Sequence, residues 1–328
     1  MINKYQGCLL GIAIGDALGA PVEFLTLQGI KKCYGKDGVT DFYEWGGFKP
    51  GSYTDDTQMS LATAVGCIRA YQRWKDRGIC HSASVVYRRY LEWLGTQNNS
   101  NQKRGPGSTC LSALRSGKMG TIKNRINNSK GCGGVMRTAP VGLTFPSGKA
   151  FQEGAEYAAI THGHPSGYLP AGFLSEMICH FIGSKTLVEA IDLSIKRLVT
   201  YNGHSETLNK IKLACELSVS GKSVKESIQT IGKGWIGEEA LAISLYCGLK
   251  FSNDWKKGTL AAVNHSGDSD STGSITGAIL GALLGIKSIP SRWVQNVEKS
   301  SRIQKIANDM FRIFKNGEEL SFEEYPPI

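Results

Sequence analysis

The stretch GCLLGIAIGDALG (residues 7–19) and its counterpart GSITGAILGALLG (residues 273–285) decide the fold. Glycine recurs at every fourth position in both: Gly7, Gly11, Gly15 and Gly19 in the first, and Gly273, Gly277, Gly281 and Gly285 in the second. Glycine inside a helix costs about 1 kcal/mol against alanine, so two such ladders need a reason. A row of glycines on one helix face lets another backbone come close, a geometry best known from membrane helix pairs. The pattern predicts that these two helices touch or cross deep in the core. That contact would join the two ends of the chain and bring together the acidic motif next to each ladder.

Working outward, most of the chain has helical periodicity. Phe173, Leu174, Met177, Ile178, Phe181 and Ile182 keep to helical spacing, as do Leu61, Val65 and Ile68, and Ile275, Ile279, Ala282, Leu283 and Ile286. Strand-like alternation is nearly absent, and the prolines fall mostly between helical stretches. With 41% apolar residues the chain has enough material for a large core. No linker divides it, so the expectation is one all-α domain over residues 1–328, a compact bundle of ten or more helices.

Several classes drop out. The apolar run near Met1 is broken by Asp16 and lacks a small-residue cleavage site, which makes it a first helix rather than a signal peptide. No apolar stretch reaches the roughly 20 residues that span a bilayer. The nine cysteines are odd in number and form no CxxC pair, which argues against a disulfide framework or thiolate zinc site and for a reducing cytoplasm. The net charge of +10 comes from scattered Lys and Arg with no nucleic-acid motif, so nucleic acid is not an expected partner. A solvated basic surface, or attraction to an anionic ligand or protein, accounts for it.

Two acidic motifs stand before helices. The first is Thr54-Asp55-Asp56-Thr57 and the second is Gly267-Asp268-Ser269-Asp270-Ser271-Thr272-Gly273. Thr54 is a good N-cap, and acids in a first turn suit the helix dipole. Four carboxylates brought together would repel one another, and a hard cation would remove that penalty. Carboxylate and hydroxyl oxygens without paired His or Cys suit Mg²⁺ or Mn²⁺, and two ions would use about this many ligands. On spacing alone, metal binding and two unrelated caps both fit. An EF-hand does not, because its twelfth position is Ile279 where glutamate is needed.

Other motifs are weaker. Gly131-Cys132-Gly133-Gly134-Val135-Met136-Arg137 is a glycine-rich turn that could cradle a diphosphate on its N–H groups or be purely structural. Gly105-Pro106-Gly107 is open to the same two readings. Neither is a dinucleotide fingerprint or a P-loop. His162 and His164 form an HxH in a loop, and Glu23 stands alone after Pro21. No GxSxG elbow is present, so a serine nucleophile has no support.

Together these segments resemble the ADP-ribosylglycohydrolase family: GCLLGIAIGDALGAPVEF (7–24), GSYTDDTQMSL (51–61), RGPGST (104–109), GCGGVMRTAPVGL (131–143), THGHP (161–165) and NHSGDSDSTGSITGAILGALLG (264–285). The resemblance implies an all-helical bundle with two Mg²⁺ or Mn²⁺ ions in a cleft. Their implied ligands are Thr54, Asp55, Asp56, Asp268, Asp270 and Ser271. Glu23, Asp55 and Asp56 are the implied catalytic carboxylates. Gly105, Gly107, Ser129, Gly131, Gly133, Gly134 and His162 would hold the diphosphate and ribose. Cys132 and Ser271 depart from the asparagine and threonine often found there; the hydroxyl of Ser271 is kept, whereas Cys132 alters one ligand contact.

The implied substrate is a mono-ADP-ribosylated protein and the product is ADP-ribose, with an arginine guanidinium as the expected leaving group. SKGCGGVMR (129–137) is also similar to members that act as immunity proteins against ADP-ribosyltransferase toxins. Some of those block the toxin with an N-terminal arm, and here the first helix is expected to begin almost at Met1. A third reading, a metal phosphohydrolase acting on a free nucleotide, would release AMP in place of ADP-ribose.

Overall fold

The computed structural model describes residues 1–327. Among these there are sixteen α-helices and two short 3₁₀ turns, with longer loops over residues 35–54 and 116–131 and no strand beyond isolated bridges. The helix-only expectation holds, and no helix among the described residues is long and apolar enough to cross a membrane.

The two glycine ladders meet, as expected. The first glycine helix spans Ile2–Gly19 and the second spans Ser269–Leu284. They run antiparallel, Gly7 against Gly281, Gly11 against Gly277 and Gly15 against Gly273. A Cβ on Gly11 would stand 2.0 Å from the Gly277 carbonyl oxygen, and a Cβ on Gly277 would stand 2.0 Å from that of Gly11. No side chain fits at this seam, which explains the glycine at every fourth position.

The pair forms the axis of the molecule. Both helices are apolar almost all round and both are buried along most of their length, so other helices must surround them. Ser300–Phe314, Asp55–Arg77, Pro165–Ile182, Gly237–Lys250 and Trp255–Val263 pack against one or both. The Trp255 indole is buried and donates to the Gly277 carbonyl at 3.1 Å, so even the seam's backbone is hydrogen-bonded sideways. The expected apolar faces are inside, although Leu61 and Val65 are only half-buried while Ile68 is fully buried. Ile286 lies just past the second glycine helix, which Gly285 ends at a φ of 82°.

The seam yields a paired prediction. Gly277→Ala should destabilise the protein by on the order of 3 kcal/mol or more, because backbone must move to admit the methyl group. Gly95→Ala, on the helix Ser82–Thr96 with no atom within 4 Å of the new methyl, should stabilise it by up to about 1 kcal/mol. Denaturant unfolding of the two variants checks this, and similar midpoints would contradict the seam as described.

Candidate active site

Crossing the glycine helices fixes where the acids lie. The first helix ends at Gly19, where a Cβ would stand 2.5 Å from the Asp270 Cα. Thus the end of the first helix, with Glu23 just beyond it, lies against the start of the second, which carries Asp268 and Asp270. One oxygen from each of Glu23, Asp268 and Asp270 lies within 4.8 Å of the others.

The helix Asp55–Arg77 brings in the other motif. Its N-cap is Thr54, whose hydroxyl accepts from Asp56 N at 3.2 Å and lies 3.4 Å from Asp56 Oδ2. Asp268 caps the second glycine helix, accepting from Ser271 N at 3.3 Å, and Asp270 accepts from the same N–H at 3.0 Å. Two helix N-termini therefore point at one acidic cluster, and their partial positive charge offsets part of its repulsion.

A residue that sequence reasoning passed over holds these parts together. Asp16, fully buried on the first glycine helix, accepts from Thr54 N at 2.8 Å, Thr57 N at 2.9 Å and Thr57 Oγ1 at 2.5 Å. Its only signal in the sequence was a carboxylate inside a glycine ladder, a polar group that cannot be buried without partners.

The cleft has a volume of about 420 Å³. Glu23, Asp55, Asp56, Asp268, Asp270 and Ser271 line it together with Gly105, Gly107, Gly131, Gly133 and His162. Two expected contacts stand behind this wall. Ser129 shapes the turn, accepting from Gly131 N at 3.2 Å. Gly134 is buried where a Cβ would meet the Gly167 carbonyl at 2.5 Å, so its glycine serves packing. Thr54 is likewise buried at the edge of the cluster.

The HxH residues have separate tasks. His162 is buried in the cleft wall, and its Nδ1 lies 2.8 Å from Thr161 Oγ1. That hydroxyl accepts from Arg137 at 2.6 Å and so gives its own proton to Nδ1. This leaves His162 Nε2–H facing the Gly131–Gly133 turn. Burial, then the Arg137 charge, pushes its pKa down to about 3, so the ring is neutral. His164 caps the helix Pro165–Ile182, accepting from Ser166 N at 3.0 Å.

Three further features had no sequence signal. Cys132 Sγ donates to Asp268 Oδ2 at 2.7 Å. Phe24 and Trp235, both lining the cleft, stack with ring centroids 5.2 Å apart. Phe24 holds a φ of 71°, a left-handed conformation unusual outside glycine.

The electrostatics suit a cation. No Lys or Arg lines the cleft among the described residues. Burial, and next the Asp270 charge, holds Asp55, Asp56 and Asp268 well above the usual carboxylate range. The same two causes push Asp16 up to about 7 and Glu23 up to about 10. Asp56 Oδ1 is buried with no hydrogen-bond partner. Clustered carboxylates and hydroxyls with an unsatisfied buried oxygen are a donor set for a hard divalent ion.

The chain is similar to known proteins along nearly its whole length. The family model for ADP-ribosylglycohydrolase matches residues 1–319. The Rhodospirillum rubrum protein named ADP-ribosyl-dinitrogen reductase glycohydrolase is 28% identical over 303 residues, covering 90% of each chain. The ADP-ribosylarginine hydrolase Tri1 of Serratia proteamaculans is 24% identical, over 94% of this chain and 79% of its own. The Bos taurus ADP-ribosylhydrolase ARH3 is 23% identical, over 96% and 94%. A solved structure described as an ADP-ribosylglycohydrolase-related protein complex shares the fold, with a TM-score of 0.70 at 23% identity, covering 95% of this chain and 98% of its own. The chain belongs to the ADP-ribosylglycohydrolase family, whose enzymes hydrolyse ADP-ribose linkages.

The raised carboxylates make a pH prediction. A carboxyl whose folded pKa lies above its unfolded value binds more protons folded than unfolded, so stability falls as pH rises between the two. For Asp16 that window runs from 3.8 to about 7, and for Glu23 from 4.5 to about 10. Metal-free protein should therefore lose stability from about pH 5 to about pH 8, and added Mg²⁺ or Mn²⁺ should raise the melting temperature more at the higher pH. An equal gain at both, read by thermal denaturation, would rule out the cluster as the cation site.

Proposed function

We propose that this chain, working as one domain, hydrolyses the bond between ADP-ribose and an arginine side chain of a modified protein, in a cleft that takes two Mg²⁺ or Mn²⁺ ions. The observation that carries this reading is the convergence of Glu23, Asp268 and Asp270 within 4.8 Å, in a cleft that Asp55, Asp56 and two glycine turns also line. Arginine is favoured over serine because the Serratia relative is named an ADP-ribosylarginine hydrolase. Nine free cysteines favour a reducing cytoplasm.

Thr54, Asp55, Asp56, Asp268, Asp270 and Ser271 would hold the ions. Bound there, they neutralise the cluster and polarise the oxygens they touch. The Gly105 and Gly133 N–H groups receive the diphosphate, an anion that would find no partner among carboxylates, since the N–H groups of Gly131 and Cys132 are already bonded to Ser129 Oγ and the Trp235 carbonyl. His162 offers its Nε2–H on the same side without adding a charge. Glu23, Asp55 or Asp56 takes a proton from the attacking water. The water oxygen bonds to the anomeric carbon, the carbon–nitrogen bond breaks with its electron pair going to nitrogen, and the guanidine leaves with the proton that the carboxylate took from the water. The carboxylates also stabilise the positive charge that develops on the ribose.

Release of intact ADP-ribose from mono-ADP-ribosylated arginine and serine proteins, with Mg²⁺, with Mn²⁺ and with EDTA, tests the reading. Metal-dependent release from arginine is expected, and Asp56→Ala and Asp268→Ala should each cut turnover by roughly 10³-fold or more while the helical content stays unchanged. Release of AMP, or full turnover in either variant, would overturn it.

A further inference from the structure

The proposed reaction gives no task to two aromatic residues of its own cleft, Phe24 and Trp235. Both are exposed to solvent, Phe24 at 75% and Trp235 at 36%. Single exposed apolar residues are ordinary, but two stacked rings in a ligand cleft form a contiguous apolar surface.

The backbone adds a second observation. Phe24 holds a φ of 71°. That left-handed conformation suits glycine and is a clear outlier for a residue with a bulky side chain. Such strain persists only where the surroundings hold it, and it gathers at ligand clamps. Here the residues on both sides of Phe24 are pinned: Glu23 N donates to the Gly19 carbonyl at 3.1 Å, and Leu25 N to that of Val22 at 2.9 Å. Trp235 is anchored through its main chain, its carbonyl accepting from Cys132 N at 3.2 Å while Gly237 N donates to the Lys130 carbonyl at 2.8 Å. The stack, with centroids 5.2 Å and planes 20° apart, therefore joins two fixed backbones. Trp235 covers one side of the Phe24 ring, and the high exposure of Phe24 leaves the rest open.

Position decides which part of a ligand the rings meet. Phe24 directly follows Glu23, and a Glu23 oxygen lies within 4.8 Å of oxygens of Asp268 and Asp270. The rings thus stand at the acidic end of the cleft, where the proposed reaction cuts the glycosidic bond. The group next to that bond is the side chain of the modified protein; the adenine is a ribose and a diphosphate away. A guanidinium is planar, weakly hydrated, and stacks on aromatic faces through cation–π attraction. No Lys or Arg lines the cleft among the described residues, so no cation of the protein repels it. A serine-linked ADP-ribose brings an uncharged ether oxygen to the same place, with nothing for a ring face to attract.

We propose that Phe24, backed by Trp235, receives the guanidinium of the substrate arginine and so selects arginine-linked ADP-ribose. The assignment rests on the reading of this chain as a hydrolase of ADP-ribosylarginine, and it supplies that reading with a contact made by the chain's own residues.

Steady-state release of ADP-ribose from an ADP-ribosylarginine peptide, alongside ADP-ribose binding by titration calorimetry, tests the proposal. Phe24→Leu keeps apolar bulk but loses the ring, so KM should rise about 5- to 30-fold with kcat close to wild type, and Phe24→Tyr should restore the wild-type KM. Affinity for ADP-ribose, which lacks the guanidinium, should stay within about 2-fold in both variants. Phe24→Gly removes ring and backbone strain together, so it should keep the melting temperature while showing the same rise in KM. An unchanged KM in Phe24→Leu, a KM in Phe24→Tyr as high as in Phe24→Leu, an equal weakening of ADP-ribose binding, or a marked loss of melting temperature in Phe24→Gly would each overturn the proposal. Wild-type protein that releases no ADP-ribose from arginine would instead sink the functional reading, and this assignment with it.

Discussion

Everything in this molecule depends on one close approach, the backbone of residues 7–19 against that of residues 273–285. Where a Cβ would come within about 2 Å of a facing carbonyl, no other residue can stand without shifting the main chain. The seam sets the distance between two helices, and through them it sets the distance between Glu23 and Asp270. Because the seam leaves so little room to slide, the cluster at its end inherits a fixed geometry. A site that must hold charged groups at short range needs such a rigid frame, since interiors pack densely and resist deformation.

Electrostatics works against that frame. Asp16, Asp55, Asp56, Asp268 and Asp270 are all buried, and burial together with the Asp270 charge raises the proton affinity of the other four. Two helix N-termini and the three donors of Thr54 and Thr57 onto Asp16 counter part of this. The rest calls for positive charge, and the residues lining the cleft supply none. The fold therefore carries a built-in demand for positive charge in this cleft.

Much of this was legible beforehand. A four-residue glycine spacing has one economical cause, close helix contact, so the ladders announced both the fold and the meeting of the acidic motifs. The caps at Thr54 and Asp268 were readable from local chemistry. The layering of the glycine turns was not: Gly133 and Gly134 are adjacent in sequence, yet one lines the cleft and the other packs under Gly167. Asp16 was hidden because its partners lie 38 and 41 residues away, beyond any local pattern. The Phe24–Trp235 stack and the Cys132–Asp268 bond were hidden for the same reason, since distant loops make them.

The seam also orders events in time. Its two strips of glycine, residues 7–19 and 273–285, lie far apart in the sequence, and a ribosome delivers the first long before the second. Until residues 269–284 emerge, the helix at residues 2–19 has no partner for its bare backbone face and must be shielded by provisional contacts. The native contact is among the most non-local the chain makes, and closing so long a loop is slow. Completion of the core thus waits on the synthesis of residues 269–284, and in that interval the uncovered face is open to non-native contacts.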